Sequence, residues 1–490
     1  MSIDNQLKNG IKWSVVGQFS TLFFEFVFGI ALARILSPSD FGLIAILSVF
    51  IMVSQIFINS GLSQSLVRDI SASEIDYSTI FFLNIIIGVG AYIILFVIAP
   101  IVSLYFSLPD ISLLLRIVGI SVFLSSLSIV FRAILTKNFK FRAINNIAII
   151  TSLTSGIGAI ILAFNGAGVW SLIFKTLLNY LLTLLLLVIV TGWFPKFIFS
   201  KSSIVKHWSF GKNLLLSGLI GWIYKDVFAL MLGRILSIDF LGFYNRSEML
   251  RNLVTNNVES VITSSSYPVL SSMQNDREAF IGLTIKTLKF AFLIVGLSLA
   301  FIFSAAVPLI EFILGAKWMY SAKILKYLAL AGMVMPLCSI MINAISVYGR
   351  SDLYLKLQTY YALYFLSALV FAYKFGTNTF LVSIVMASLA SYIHTAFIFC
   401  KFFSYSYSSH IKDLIDKIVL IIGVTLSLFT AQLLLGEYNS FIQLISLVLL
   451  FSITVLLYFL ISRDKEILTI YNSLAKNISF LQVYKNYSSK

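Results

Sequence analysis

Charge is what this chain has least of. Only 11% of its 490 residues are Asp, Glu, Lys or Arg, against 59% hydrophobic, whereas an ordinary soluble domain carries roughly 25% charged residues. Water is therefore not its main solvent. Cysteine is nearly missing: Cys338 and Cys400 both fall inside apolar stretches, with no CxxC spacing and no nearby cluster of histidines. Neither a disulfide framework nor a metal site is expected, and no cofactor motif is present. Acidic residues are outnumbered 35 to 20 by basic ones, a formal net charge of +15. A nucleic-acid partner would need those charges gathered on one water-facing surface, but they are dispersed between apolar runs. Long polar connectors are also lacking. The longest, around 193 to 208 and 268 to 285, hold little more than one amphipathic helix each, which leaves no room for a soluble catalytic domain.

What is present is apolar length. A hydrocarbon core about 30 Å thick is crossed by about 20 helical residues. Segments of that length lie at about 11 to 33, 41 to 61, 79 to 106, 112 to 133, 145 to 164, 168 to 192, 209 to 233, 243 to 267, 286 to 307, 323 to 347, 354 to 373, 377 to 401, 412 to 435 and 440 to 462. The expected fold class is an all-α integral membrane protein with 14 transmembrane helices. The first span follows Lys8 and Lys12 and ends in Ala31, Leu32, Ala33, like a signal peptide. It is longer than a signal core and contains Glu25, so it reads as an uncleaved first helix.

With an even number of spans, both termini share a side. Lys8, Lys12, Arg68, Arg132, Lys137, Lys140, Arg142, Lys196, Lys201, Lys206, Lys286, Lys401 and the basic tail residues fall on that side. Basic residues in short loops mark the cytoplasmic side, so both termini are expected in the cytoplasm of a cell with this chain in its inner membrane. Some of the excess also attracts anionic lipid headgroups. In the tail, 463–490, Ile467, Ile470, Tyr471, Leu474 and Ile478 recur at helical spacing, as in a helix lying on the leaflet.

The most informative pattern is a repeat at an offset of 200 residues. Ala33, Arg34, Ile35, Leu36 and Ser37, with Gly42 further on, answer to Gly233, Arg234, Ile235, Leu236 and Ser237, with Gly242. Weaker echoes pair Pro100 with Pro308, Ala133 and Ile134 with Ala344 and Ile345, and the turn at Gly168 with Gly376. Six spans per unit is an even number, so the two units share an orientation, related by an axis along the membrane normal. The domains expected are two pseudo-symmetric six-helix lobes, 1–200 and 201–404, then two further helices over 405–462 and the tail. Two bundles facing each other make a cleft that rocking can open to either side, the architecture of alternating access.

Ionisable residues deep in a span are costly, so they face a cavity or a partner. Here they are Glu25 in the first span, Lys175 in the sixth, and Lys225 with Asp226 in the seventh, with Arg34, Arg234, Arg246, Glu248 and Arg251 near span ends. Under the repeat Glu25 maps onto Lys225. Two readings stand. In one, Arg34, Lys175, Lys225, Arg234, Arg246 and Arg251 line a cationic cavity that holds a diphosphate or acidic sugars through charge-assisted hydrogen bonds, and Glu25 or Asp226 carries a coupling ion. In the other, the same groups form interhelical ion pairs that hold the bundles together, and the end-of-span arginines snorkel. His394 in span 12 reads as a proton relay or as a histidine bonded to a neighbouring helix; His207 and His410 lie in connectors.

Residues Ile11 to Ser14, the run from Ala33 to Gly42 (ARILSPSDFG) and the run from Gly233 to Asn245 (GRILSIDFLGFYN) resemble Wzx-type polysaccharide flippases, in the branch that includes colanic acid and teichuronic acid exporters. The likeness runs in order over about residues 8 to 400 and includes Phe210, Gly211 and Gly166 to Trp170. It implies the superfamily that also holds MATE-type multidrug exporters and lipid II flippases, and a fold of two six-helix lobes plus two helices. It also implies an undecaprenyl-diphosphate-linked oligosaccharide as cargo, moved in exchange for protons or sodium, with a polysaccharide polymerase and a chain-length regulator as partners. A MATE-like drug exporter shares the fold but would favour acidic cavity groups. A polymerase enzyme would need a sizeable external loop, and a purely structural scaffold would tolerate loss of the buried charges.

Overall fold

The computed structural model describes residues 3–462 except 60, 70, 209–214 and 216–227. Every regular element among the described residues is helical. In order they are α1 (Ile3–Ile35), α2 (Pro38–Asn59), α3 (Leu62–Arg68), α4 (Glu74–Phe106), α5 (Asp110–Val118), α6 (Ile120–Lys137), α7 (Phe141–Phe164), α8 (Val169–Thr191) and α9 (201–208). A helical stretch at 228–235 leads to α10 (Ile238–Ser272), α11 (Arg277–Ile313), α12 (Met319–Gly332), α13 (Met335–Val347), α14 (Ser351–Phe402), α15 (Tyr407–Leu434) and α16 (Ser440–Ser462).

Ten helical stretches among the described residues are long and apolar enough to cross a membrane, and the chain is a multi-pass membrane protein. Their outer faces are apolar: Leu104, Ile189 and Val419 are 79%, 73% and 65% exposed, the pattern of helices solvated by lipid rather than water. Spans 1 and 8 of the sequence reading fall on α1 and α10. Span 7, at 209 to 233, lies mostly outside the described residues, as does the 463–490 tail. Spans 11 and 12 run together in α14. At about 1.5 Å per residue its 52 residues would far exceed a bilayer if straight, but Gly376 breaks it with φ 78° and ψ −168°.

The ends of the helices follow from local chemistry. Ser73 and Asp76 close a capping box at the start of α4, and Ser107 ends that helix in the left-handed region. The Asp276 side chain accepts from the Ala279 N–H at 3.0 Å to start α11. The tight turn between α7 and α8 uses Gly166 and Gly168, both with positive φ, where a side chain would be strained. Pro100 and Pro308 both sit inside long helices, α4 and α11.

The chain forms two compact units, Met1–Asn245 and Arg246–Lys490. In the first, α1 lies along α7, α7 along α8, and α6 joins α4 to α8. The approaches are close because small residues allow them: a Cβ on Gly156 of α7 would stand 2.3 Å from the Phe28 ring of α1, and one on Gly88 of α4 would stand 2.1 Å from Ser126 Oγ of α6. Such contacts are how membrane helices gain packing energy without a hydrophobic drive between them. In the second unit α11 is central, touching α12, α13, α15 and α16. Phe280, Leu288, Ile340, Phe399 and Phe403 fill the core around it.

Candidate functional site

Within the first unit, three helices bring polar groups to one place in an otherwise apolar wall. Glu25 projects from α1 among phenylalanines, and its Oε2 accepts from Lys175 Nζ of α8 at 2.6 Å. Its other oxygen accepts from Ser152 Oγ of α7 at 3.2 Å. Next to them Asn179 Nδ2 reaches Ser155 Oγ at 3.4 Å. The Lys175 side chain is 17% exposed and that of Glu25 is 45% exposed. A half-open carboxylate in the middle of an apolar helix needs water or a ligand on its open side. The arrangement can hold a cation against Glu25 in place of Lys175, or release the ammonium toward an anion. Ser152 carries no sequence signal beyond helical register, and only packing shows its part.

Arg34 and Arg234, equivalent under the 200-residue repeat, are both exposed. Arg34 stands in the last turn of α1, where the helix dipole favours a cation. Arg234 places its guanidinium 5.5 Å from the centre of the Tyr105 ring at the end of α4. Between them the first copy of the motif caps α2: Asp40 Oδ2 accepts from the Ser37 N–H at 2.9 Å and from its hydroxyl at 2.6 Å. Within the second unit, Arg251 is 6% exposed and donates to Glu248 at 3.0 Å and to Asn252 at 2.7 Å. Arg246, one turn earlier on α10, lies half-buried with Nη1 3.5 Å from Met249 Sδ. Lys225 and Asp226 lie outside the described residues.

The histidines are all held by other side chains. His394 Nδ1 lies 3.1 Å from Tyr364 Oη across the break in α14, and His410 Nε2 lies 3.0 Å from Tyr392 Oη. His207 is buried beneath the α3–α4 connector with Nδ1 2.8 Å from Ser65 Oγ. Near it the Lys206 ammonium, with help from Ser71, holds the Asp69 carboxyl down to about 2. Burial lowers the His207 pKa against the pull of Asp76 and Asp69, and the bond to Asp69 raises that of Lys206. Lys417 of α15 is 4% exposed, with Asp416 at 2.9 Å and Tyr458 Oη at 3.1 Å. Cys338 and Cys400 are buried free thiols.

Known proteins resemble this chain, some in sequence and others in fold. The teichuronic acid biosynthesis protein TuaB of Bacillus subtilis is 22% identical over 367 residues, 72% of this chain and 73% of that protein. The succinoglycan biosynthesis transport protein ExoT of Rhizobium meliloti is 25% identical over 69% of each chain. The lipopolysaccharide biosynthesis protein WzxC of Escherichia coli is 22% identical over 76% of each. Among solved structures, the lipid II flippase MurJ in an inward closed conformation aligns with a TM-score of 0.68 at 16% identity, covering 92% of this chain and 99% of that one. An inward-facing MATE family multidrug transporter of the MOP superfamily aligns with a TM-score of 0.60 at 16% identity, over 78% and 95%. The family described as polysaccharide biosynthesis protein matches residues 31–323, more than half of the sequence, and the chain belongs to it.

Proposed function

We propose that this chain is a flippase that carries an undecaprenyl-diphosphate-linked oligosaccharide, the repeat unit of an O-antigen, capsule or exopolysaccharide, across the bacterial inner membrane. The observation that carries the reading is the coincidence of two likenesses. The sequence belongs with polysaccharide biosynthesis proteins, and the fold follows a lipid II flippase over 92% of the chain. The chain transports and is not an enzyme.

The finer architecture is fourteen spans with both termini in the cytoplasm: lobes at 1–200 and 201–404 that rock to give alternating access, and two helices over 405–462. The break at Gly376 supports it, because it divides α14 into two pieces of spanning length. Arg34, Lys175, Lys225, Arg234, Arg246 and Arg251 serve the diphosphate and sugars, and Glu25 or Asp226 carries the coupling proton or sodium ion. The half-open Glu25–Lys175–Ser152 group supports this assignment, because an ammonium shared with a carboxylate can exchange that partner for phosphate. Polymerase and chain-length regulator take the unit after it is flipped.

The test is a deletion strain in which surface glycan and the sidedness of lipid-linked intermediates are measured. Loss of surface glycan with intermediates accumulating on the cytoplasmic leaflet is expected, and unchanged glycan would end the proposal. A second reading, a drug exporter, is favoured by the MATE likeness alone. Ethidium efflux that depends on this chain would establish it.

A further inference from the structure

The connector side of the first unit holds a cluster that the transport reading leaves unused. His207 of α9 is 0% exposed. Its Nε2 lies 3.6 Å from Asp76 Oδ1, in the first turn of α4, and 3.9 Å from Asp69 Oδ2, at the end of α3. Both distances are too long for a hydrogen bond, and Nε2 has no hydrogen-bond partner although it is buried. A buried ring nitrogen aimed between two carboxylates and bonded to neither is a costly arrangement that calls for an explanation. Among the described residues these three form a group whose donor atoms all lie within 4.8 Å of one another.

We propose that His207 Nε2, Asp69 Oδ2 and Asp76 Oδ1 bind a divalent first-row transition-metal ion of the zinc type, tying α9 to the α3–α4 connector.

The spacing suits such an ion. Zinc bonds of about 2.0–2.2 Å to nitrogen and oxygen in a tetrahedron set donor atoms about 3.4 Å apart, so small movements complete the site. The surroundings already hold each ligand in place. Ser65 Oγ at 2.8 Å can take the Nδ1 proton and leave the Nε2 lone pair facing the carboxylates, the orienting bond that metal-bound histidines usually make. Asp69 is held through Oδ1 by the Ser71 N–H and hydroxyl, at 3.1 and 2.8 Å. Asp76 is held through Oδ2 by the Ser73 N–H and hydroxyl, at 2.8 and 2.9 Å, and Ser203 Oγ donates to its Oδ1 at 2.6 Å. Each carboxylate therefore keeps one oxygen tied back and the other turned toward His207.

A cleft of roughly 380 Å³ lined by Ser65, Arg68, Asp69, Ser71, Lys206 and His207 gives the ion a path and room for water as a further ligand. One nitrogen and two carboxylate oxygens favour a zinc-like ion over magnesium or calcium, which prefer all-oxygen shells. The competitor is internal. Lys206 Nζ makes a close ion pair with Asp69 Oδ2, the oxygen that the metal would use, and its side chain is 49% exposed, so it can withdraw into solvent.

Zinc titration of the full chain in detergent, followed calorimetrically near neutral pH, decides the matter. One equivalent is expected to bind. His207→Gln and Asp69→Asn are each expected to weaken binding at least about tenfold, whereas Lys206→Ala, which removes the competing ammonium, should tighten it. Equal uptake by wild type and His207→Gln overturns the site, and so does weaker binding by Lys206→Ala. If His207→Gln does not fold, cobalt(II) added to the wild type replaces it as the test: a tetrahedral visible absorption band abolished by Asp69→Asn is expected, and its absence overturns the proposal. Displacement of the zinc by millimolar magnesium would overturn the choice of ion.

Discussion

Gly42 and Gly242, 200 positions apart, are packed against each other's segment in a reciprocal contact. A Cβ on Gly42 would lie 2.0 Å from the Ile238 carbonyl oxygen, and a Cβ on Gly242 would lie 1.9 Å from that of Pro38 and 3.2 Å from Gly42 N. Both copies of the sequence repeat thus use their glycine to let the other's backbone in. The contact also explains why the first compact unit extends to Asn245, past the start of the second repeat.

Because the clashing atoms are backbone, they cannot rotate away. Gly42→Ala and Gly242→Ala are each expected to destabilise the protein by about 3 kcal/mol, at the upper end of overpacking costs. Thermal unfolding in detergent measures this. A stability equal to wild type for either variant would contradict the packing described.

The Glu25–Lys175 pair separates a structural from a transport role. Lys175→Ala leaves a half-exposed carboxylate in an apolar helix and should cost about 1–2 kcal/mol, less than the loss of a fully buried pair. The reversed pair, Glu25→Lys with Lys175→Glu, should recover that stability while surface glycan stays low, because the ammonium has moved to another helix. Recovery of both stability and export in the reversed pair would make the bridge a structural brace only.

Lys225→Ala should impair glycan export while the protein still inserts, since the repeat sets Lys225 at the position equivalent to Glu25. Protein level in membranes and surface glycan in a deletion background are the two readouts. Normal glycan would remove Lys225 from the proposed cavity.

Gly376 has space for a methyl group, with nothing within 4 Å of its Cβ direction, but its φ is +78°. Gly376→Ala is therefore expected to cost about 1–2 kcal/mol through backbone strain alone. Gly376→Asn should cost at least as much, because φ +78° with ψ −168° lies outside the left-handed helical region that asparagine tolerates. Equal stabilities of the glycine and alanine proteins would show that the break is not a required turn.

Apolar length, the surplus of Lys and Arg, the turn at Asn165–Gly168 and the repeat from Ala33 to Gly42 and Gly233 to Gly242 were all readable along the chain. Each is a local or periodic property, and together they determined a membrane-spanning helical protein built on a repeat, while the runs at Ala33 and Gly233 carried its resemblance to a family. The partners of the charges were not readable, because helical periodicity says which face a residue occupies but not which helix covers it. Only the tertiary structure set Lys175 and Ser152 on Glu25, brought Arg234 over Tyr105, and buried Lys417 beside Tyr458. His207 shows the same division: the sequence placed it in a connector, where a histidine is ordinarily solvated. Burial and the approach of two helix ends set it between Asp69 and Asp76, because long-range packing decides where a polar group loses its water.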